Sequence, residues 1–142
     1  MNSNLSCGEF PGVRAEIHAG ILVIDDEPLV RWSIVAGLRH AGFAAVGAGS
    51  PEEATRLAAQ TRPVLALFDV RLWGTDPVRL LQEIRTLAPN CRILILAVEG
   101  QDLAVPAWNG IDVIRKPFDL HAVVERVETV LSRPAHGVRM AV

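Results

Sequence analysis

In ILVIDDEPLVRWSI, residues 21–34, four apolar residues run directly into Asp25, Asp26 and Glu27, and then into Pro28. A second apolar run, VLALF, ends in Asp69, and a third, short run ends in Arg115, Lys116 and Pro117. Adjacent carboxylates repel, and an unpaired one is costly to bury. Oxygen ligands clustered against that repulsion suit a hard divalent cation, and Mg²⁺ is the common cytosolic one. An ammonium opposite them offers a seat for a further anion. Lys116 is the only lysine beside thirteen arginines, so the compact point charge at this position looks chosen.

Residues so far apart in the chain need a scaffold that brings them together. Five short runs rich in Val, Ile and Leu recur: ILVI (21–24), AAV (44–46), VLALF (64–68), ILIL (93–96) and VI (113–114). Continuous rather than alternating apolarity suits strands covered on both faces, as in a parallel sheet. Between them lie one-sided helical stripes: Val30, Ile34, Leu38 and Ala41; Leu80, Leu81, Ile84 and Leu87; Leu120, Val123, Val124, Val127 and Leu131. Ser50-Pro51-Glu52-Glu53 reads as a helix start with a capping box, and Asp76 and Asp119 read as N-caps. Asp25 or Asp26 could cap the helix beginning near Pro28. The helix between the fourth and fifth strands should be short or broken, because VEGQDLAVPAWNGID places Pro106 inside it. The order is βα repeated five times, one doubly wound α/β domain over residues 20–132, with an extension at 1–19 and a tail at 133–142.

Right-handed crossovers set strands one, three, four and five side by side. In such sheets chemistry gathers outside the carboxyl ends of the strands. Asp25, Asp26, Asp69 and Lys116 therefore converge on one rim, with Ala97 ending the fourth strand beside them.

Composition bounds the alternatives. At 142 residues, 50% hydrophobic and 21% charged, the chain is globular and fits one core. A net charge of −2 calls for no nucleic-acid or membrane partner. Seven Trp and Phe residues are too scattered for a base-stacking platform, and His18, His40, His121 and His136 show no ligand spacing and belong on the surface. Cys7 and Cys91 read as free thiols, a disulfide being the lesser alternative. No apolar run is long enough to span a membrane, and the N-terminus lacks the pattern of a secretory signal, so the cytoplasm is the default location. VGAGSPEEA resembles the start of a dinucleotide fingerprint, lacks its third glycine, and is a plain turn.

IDDEP, FDVRLWGTDP and IRKPF, ending successive odd strands, resemble the receiver domain of two-component response regulators over about residues 20–132. The resemblance implies a flavodoxin-like sheet in the order 2-1-3-4-5 and a signalling receiver rather than an enzyme, capable at most of self-phosphoryl transfer and autodephosphorylation. It implies that Asp69 accepts a phosphoryl group from a histidine kinase or phosphotransfer protein. Asp26, Asp69 and the backbone carbonyl of Arg71 would bind Mg²⁺, and Asp25 would act through a coordinated water. Lys116 would pair with the phosphoryl oxygens, Pro117 would follow a cis peptide bond, and Arg71 and Glu99 would flank the mouth and tune the lifetime of the phosphoryl group. A downstream protein target, a homodimer and a longer parent protein all stay open.

Departures from the family pattern fall mostly on the switching side. Ala97 stands where the family carries Ser or Thr, and Val113 where it carries an aromatic residue. Trp73 and Pro77 replace a proline and a glycine after Asp69, and the 19 positions from Ala97 to Lys116 are a few fewer than usual. The main alternative is therefore a degenerate receiver acting as a phosphorylation-independent interaction module. A haloacid-dehalogenase-type phosphatase would need a second aspartate where the chain has Arg71, and a cap domain that 142 residues scarcely accommodate.

Overall fold

The computed structural model describes residues 20–71, 76–98, 110–116 and 118–134. Five strands form one parallel sheet: β1 (Gly20–Ile24), β2 (Ala44–Ala48), β3 (Leu65–Asp69), β4 (Arg92–Val98) and β5 (Asp112–Lys116). Their order is β2-β1-β3-β4-β5, as expected, with register Ile24↔Ala48, Ile24↔Phe68, Asp69↔Leu96 and Val98↔Lys116 along the functional end. Four helices are described: α1 (Pro28–His40), α2 (Pro51–Thr61), α3 (Pro77–Leu87) and α4 (Leu120–Ser132). The expected broken helix, Trp73, Glu99, Pro117, Cys7, His18, His136, the extension 1–19 and the tail beyond Pro134 lie outside the described residues.

The strand runs are continuously apolar because both sheet faces are covered. Leu22, Ile24, Ala66, Phe68, Ile93 and Ile95 pack with Ala54 and Ala58 of α2 and Leu80, Leu81 and Ile84 of α3. The alternate residues Ile21, Val23, Leu65, Leu67, Leu94 and Leu96 pack on the other face with Ile34, Val35 and Leu38 of α1 and Val123, Val127 and Val130 of α4. The period of two along each strand thus feeds two cores rather than one core and solvent.

Helix starts follow their caps. The Ser50 hydroxyl accepts the Glu53 amide at 3.1 Å, while Glu53 Oε1 accepts the Gly49 amide at 2.8 Å. Asp76 Oδ1 accepts the amides of Val78 and Arg79, and Asp119 Oδ1 that of Ala122 at 2.7 Å. Pro77, a departure from the family pattern, sits at the first position of α3, where its missing N–H costs nothing. Neither Asp25 nor Asp26 caps α1. Glu27 is its N-cap and makes no side-chain capping bond, while the Asp25 carboxylate accepts the Glu27 amide. Ala41, expected in the α1 stripe, is instead its exposed C-cap, and Leu29 and Trp32 of that helix face solvent.

Candidate functional site

Three strand ends build the rim. β1 delivers Asp25 and Asp26 just past Ile24, β3 closes on Asp69, and β5 closes on Lys116. Asp25 and Asp69 are the two buried charged residues among those described, 1% and 3% exposed, while Asp26 faces solvent. Lys116 Nζ lies 3.0 Å from Asp69 Oδ2 as a charge-assisted hydrogen bond. Asp69 Oδ1 accepts the Arg71 backbone amide at 2.8 Å, and the half-exposed Arg71 guanidinium stands 3.8 Å from the same oxygen. Of the four residues expected on one rim, Asp69 and Lys116 are in direct contact, while Asp25 and Asp26 follow the end of the neighbouring strand β1.

Asp25 is the uncompensated member. Its Oδ1 accepts the Glu27 amide at 2.9 Å, yet its Oδ2 is buried with no hydrogen-bond partner among the described residues. Burial raises its carboxyl above the ordinary value, and the charges of Asp69 and Asp26 push the same way; the Glu27 amide and Lys116 oppose them. An orphaned buried carboxylate oxygen is uncommon in a folded protein and marks a place where a partner belongs.

That oxygen fits a cation. Among the described residues no three acid, imidazole or thiol side chains close on a single point. Mg²⁺ does not require this, since it binds through one or two carboxylates and keeps several waters. Asp25, solvent-facing Asp26 and Asp69 supply hard oxygen donors of that kind, and the backbone carbonyl of Arg71 could add another.

The sign of the Asp25 perturbation makes a prediction. A carboxyl whose folded pKa exceeds its unfolded value binds more protons in the native state. The resulting cost is fully present above the folded value and is relieved as the pH falls through it. In chelator at neutral pH, Asp25→Asn should therefore melt higher than the native chain, with the gap closing on acidification. Added Mg²⁺ should raise the native melt more than that of the variant. Equal melts for the two proteins throughout would remove the repulsion from the account.

The two positions expected to matter for switching lie deeper. Ala97 is fully buried within β4, one residue before the strand's end and in register with Arg115, whereas the sequence placed it at that end. Val113, half-buried on β5, pairs with Ile95 and packs against the α2–α3 face of the sheet. Cys91, at the opposite end of the sheet, is a buried free thiol whose pKa burial pushes up to about 12, so it stays protonated and inert.

One residue that the sequence did not single out reaches the site. Arg31 of α1 donates from its guanidinium to the Asp25 carbonyl at 2.9 Å. The available signal was the pair Gly47 and Gly49 in AAVGAG, whose missing side chains make room for it.

Comparison with known proteins agrees with this architecture. The chain is 33% identical over 115 residues to the transcriptional regulatory protein BaeR of Escherichia coli O6:H1, a match covering 80% of this chain and 48% of BaeR. It is 30% identical over 115 residues to the DNA-binding transcriptional regulator NtrC of Escherichia coli K12, covering 79% of this chain and 24% of NtrC. The chain thus spans about half and about a quarter of these relatives. The crystal structure of the receiver domain of NtrX from Brucella abortus superposes with a TM-score of 0.72 at 28% identity, covering 80% of this chain and 99% of that one. No helix among the described residues is long and apolar enough to cross a membrane. Residues 21–128 match the model of the response regulator receiver domain, and the chain belongs to that family.

Proposed function

We propose that the chain receives a phosphoryl group on Asp69 from a phosphohistidine of a kinase or phosphotransfer protein in the cytoplasm. The observation that carries this reading is Asp69 itself: a buried carboxylate 3.0 Å from the chain's only lysine, beside a second buried carboxylate with an oxygen unpartnered among the described residues. A carboxylate oxygen of Asp69 attacks phosphorus, the phosphorus–nitrogen bond to the donor imidazole breaks, and an acyl phosphate forms as the imidazole leaves and takes up a proton. The attacking group is a carboxylate rather than a hydroxyl, so the requirement is less a base than neutralisation of charge spread over the equatorial oxygens. Lys116 supplies one positive charge. Mg²⁺, held by Asp25, Asp26, Asp69 and the Arg71 carbonyl, would supply the other. Arg71, already near Asp69 at the mouth, is placed to limit the approach of hydrolytic water.

Ala97 and Val113 favour a second reading, a receiver whose partner binding no longer depends on phosphorylation. A receiver switch in which a hydroxyl moves to the phosphoryl oxygen has no hydroxyl in Ala97, and a rotating ring has none in Val113. A ligand shifts a two-state equilibrium only by its differential affinity for the two states. The missing charge-assisted hydrogen bond alone is worth about 1.5–3 kcal/mol. Beryllofluoride, which mimics the aspartyl phosphate, separates the readings. Mg²⁺-dependent amide shifts around Asp25, Asp69 and Lys116 that do not spread along β4 and β5 are expected. Silence at Asp69 would favour the phosphorylation-independent module. Large shifts through both strands would show an intact switch and overturn the claim that it is blunted.

A further inference from the structure

The acid loop between β1 and α1 is held by an arginine from the helix that follows it. Arg31 lies one turn into α1, and its backbone amide makes an ordinary helical bond to the Glu27 carbonyl at 3.0 Å. Its side chain folds back across β2. Ideal Cβ atoms built on Gly47 and Gly49 would fall 2.9 Å from Arg31 Cγ and 2.6 Å from Arg31 Nη1. Both approaches are closer than a real Cβ allows, so these two glycines form a slot that the arginine stem and head occupy. At the end of the slot Nη1 donates to the Asp25 carbonyl at 2.9 Å.

The Asp25 backbone is thereby fixed from two sides. Its N–H donates to the Ala48 carbonyl at 3.2 Å, extending the β1–β2 ladder by one residue, and its C=O is tied to Arg31. The slot is braced in turn, since the amide of Gly49, the residue before the Ser50 N-cap of α2, donates to Glu53 Oε1 at 2.8 Å. With its N–H and C=O both bonded, the φ and ψ of Asp25 are held, and with them the direction in which its carboxylate leaves the backbone. The orphaned Oδ2 stays inside at the expense of local stability, which is how a site is preorganised for a cation.

We propose that Arg31 is a positioning residue: through the Gly47–Gly49 slot it clamps the Asp25 peptide and holds the acid pair in the orientation that receives Mg²⁺. The inference rests on the metal-assisted receiver reading above. Arg31→Met keeps most of the stem and removes the donor. Gly49→Ala leaves Arg31 in place but drives its guanidinium out of the slot, a small adjustment at the free end of a flexible side chain.

The test reads amide hydrogen exchange in chelator and Mg²⁺ affinity by calorimetry, on the full chain. Each variant should speed exchange at the Asp25 and Glu27 amides by about tenfold or more, leave the rest of β1 protected, and weaken Mg²⁺ binding by about tenfold, the usual scale for loss of an outer-shell contact. The double variant should be no worse than either single one, because both remove the same bond. Unchanged exchange at Asp25 and Glu27 would overturn the clamp. Faster exchange with unchanged Mg²⁺ affinity, or a uniform loss of protection across the sheet, would reduce Arg31 to a structural residue and overturn its positioning role. Failure of the native chain itself to bind Mg²⁺ would overturn the receiver chemistry and this role with it, and is read on the native protein rather than on the variants.

Discussion

Asp69→Asn is expected to lower covalent labelling by acetyl phosphate by more than about a thousandfold, the scale on which removal of a sole nucleophile acts. The amide keeps the size and planarity of the carboxylate, and its carbonyl can still accept the Arg71 backbone amide that Asp69 Oδ1 accepts at 2.8 Å. What disappears is the charge, and with it both the nucleophile and the partner of Lys116. Two effects on stability oppose each other. The loss of the Lys116 ion pair destabilises, while Asp25 loses one of the two negative neighbours that raise its carboxyl. The melt should therefore move little, so loss of label would report chemistry rather than unfolding. Intact-mass spectrometry after incubation with acetyl phosphate and Mg²⁺ checks both parts. A persistent adduct on the folded variant would show that another residue carries the phosphoryl group.

Much of this site could be read from residue types because the fold places strand ends together by rule. Five apolar runs with no alternation require a sheet covered on both sides, and a parallel sheet puts Asp25, Asp69 and Lys116 on one rim. Ser50, Asp76 and Asp119 announced their helices because a cap is a local bond between a side chain and an amide two or three residues on. The strand limits were less legible. β2 runs to Ala48, past the expected AAV, because Gly47 and Ala48 pair with Val23 and Ile24, and a ladder partner extends a strand whatever its own side chains. β5 likewise starts at Asp112, before the expected apolar pair, because Asp112 pairs with Leu94 of β4.

What the chain did not reveal depends on reach and on neighbours. Val130 belongs to the buried face of α4, though the stripe counted from Leu120 passed it over in favour of Leu131. Nothing in the order IDDEP says that one oxygen of Asp25 will be sealed off, because that depends on packing by elements distant in sequence. Nothing in the sequence sets Arg31 apart from the other twelve arginines. Its contact with the Asp25 carbonyl arises only because β2 lies beside β1 and offers two positions without side chains.

Lys116 carries the second large effect. Its ammonium is 3.0 Å from Asp69 Oδ2, with the two side chains 19% and 4% exposed, so the pair is largely withdrawn from water. Removing one partner of a buried pair is costly because the other charge is left behind, about 3–5 kcal/mol for a fully sealed pair and less here, where Lys116 keeps contact with solvent. Lys116→Met should accordingly melt lower than the native chain, and a cycle with Asp69→Asn should recover part of the loss by removing the stranded charge. The kinetic effect should be larger still. Lys116 is the one side-chain cation within hydrogen-bond distance of the Asp69 carboxylate among the described residues, and loss of a single donor aimed at developing charge costs about 10²–10³ in rate. Lys116→Arg distinguishes charge from shape. An arginine restores the positive charge but brings a longer, planar head, and the space 3.0 Å from Asp69 is filled by a single nitrogen. Label from acetyl phosphate on Lys116→Arg should remain at least about tenfold below native, although its melt recovers toward the native value. Native labelling by the arginine variant would mean that any cation suffices there, and the presence of the chain's single lysine at this position would then need another cause.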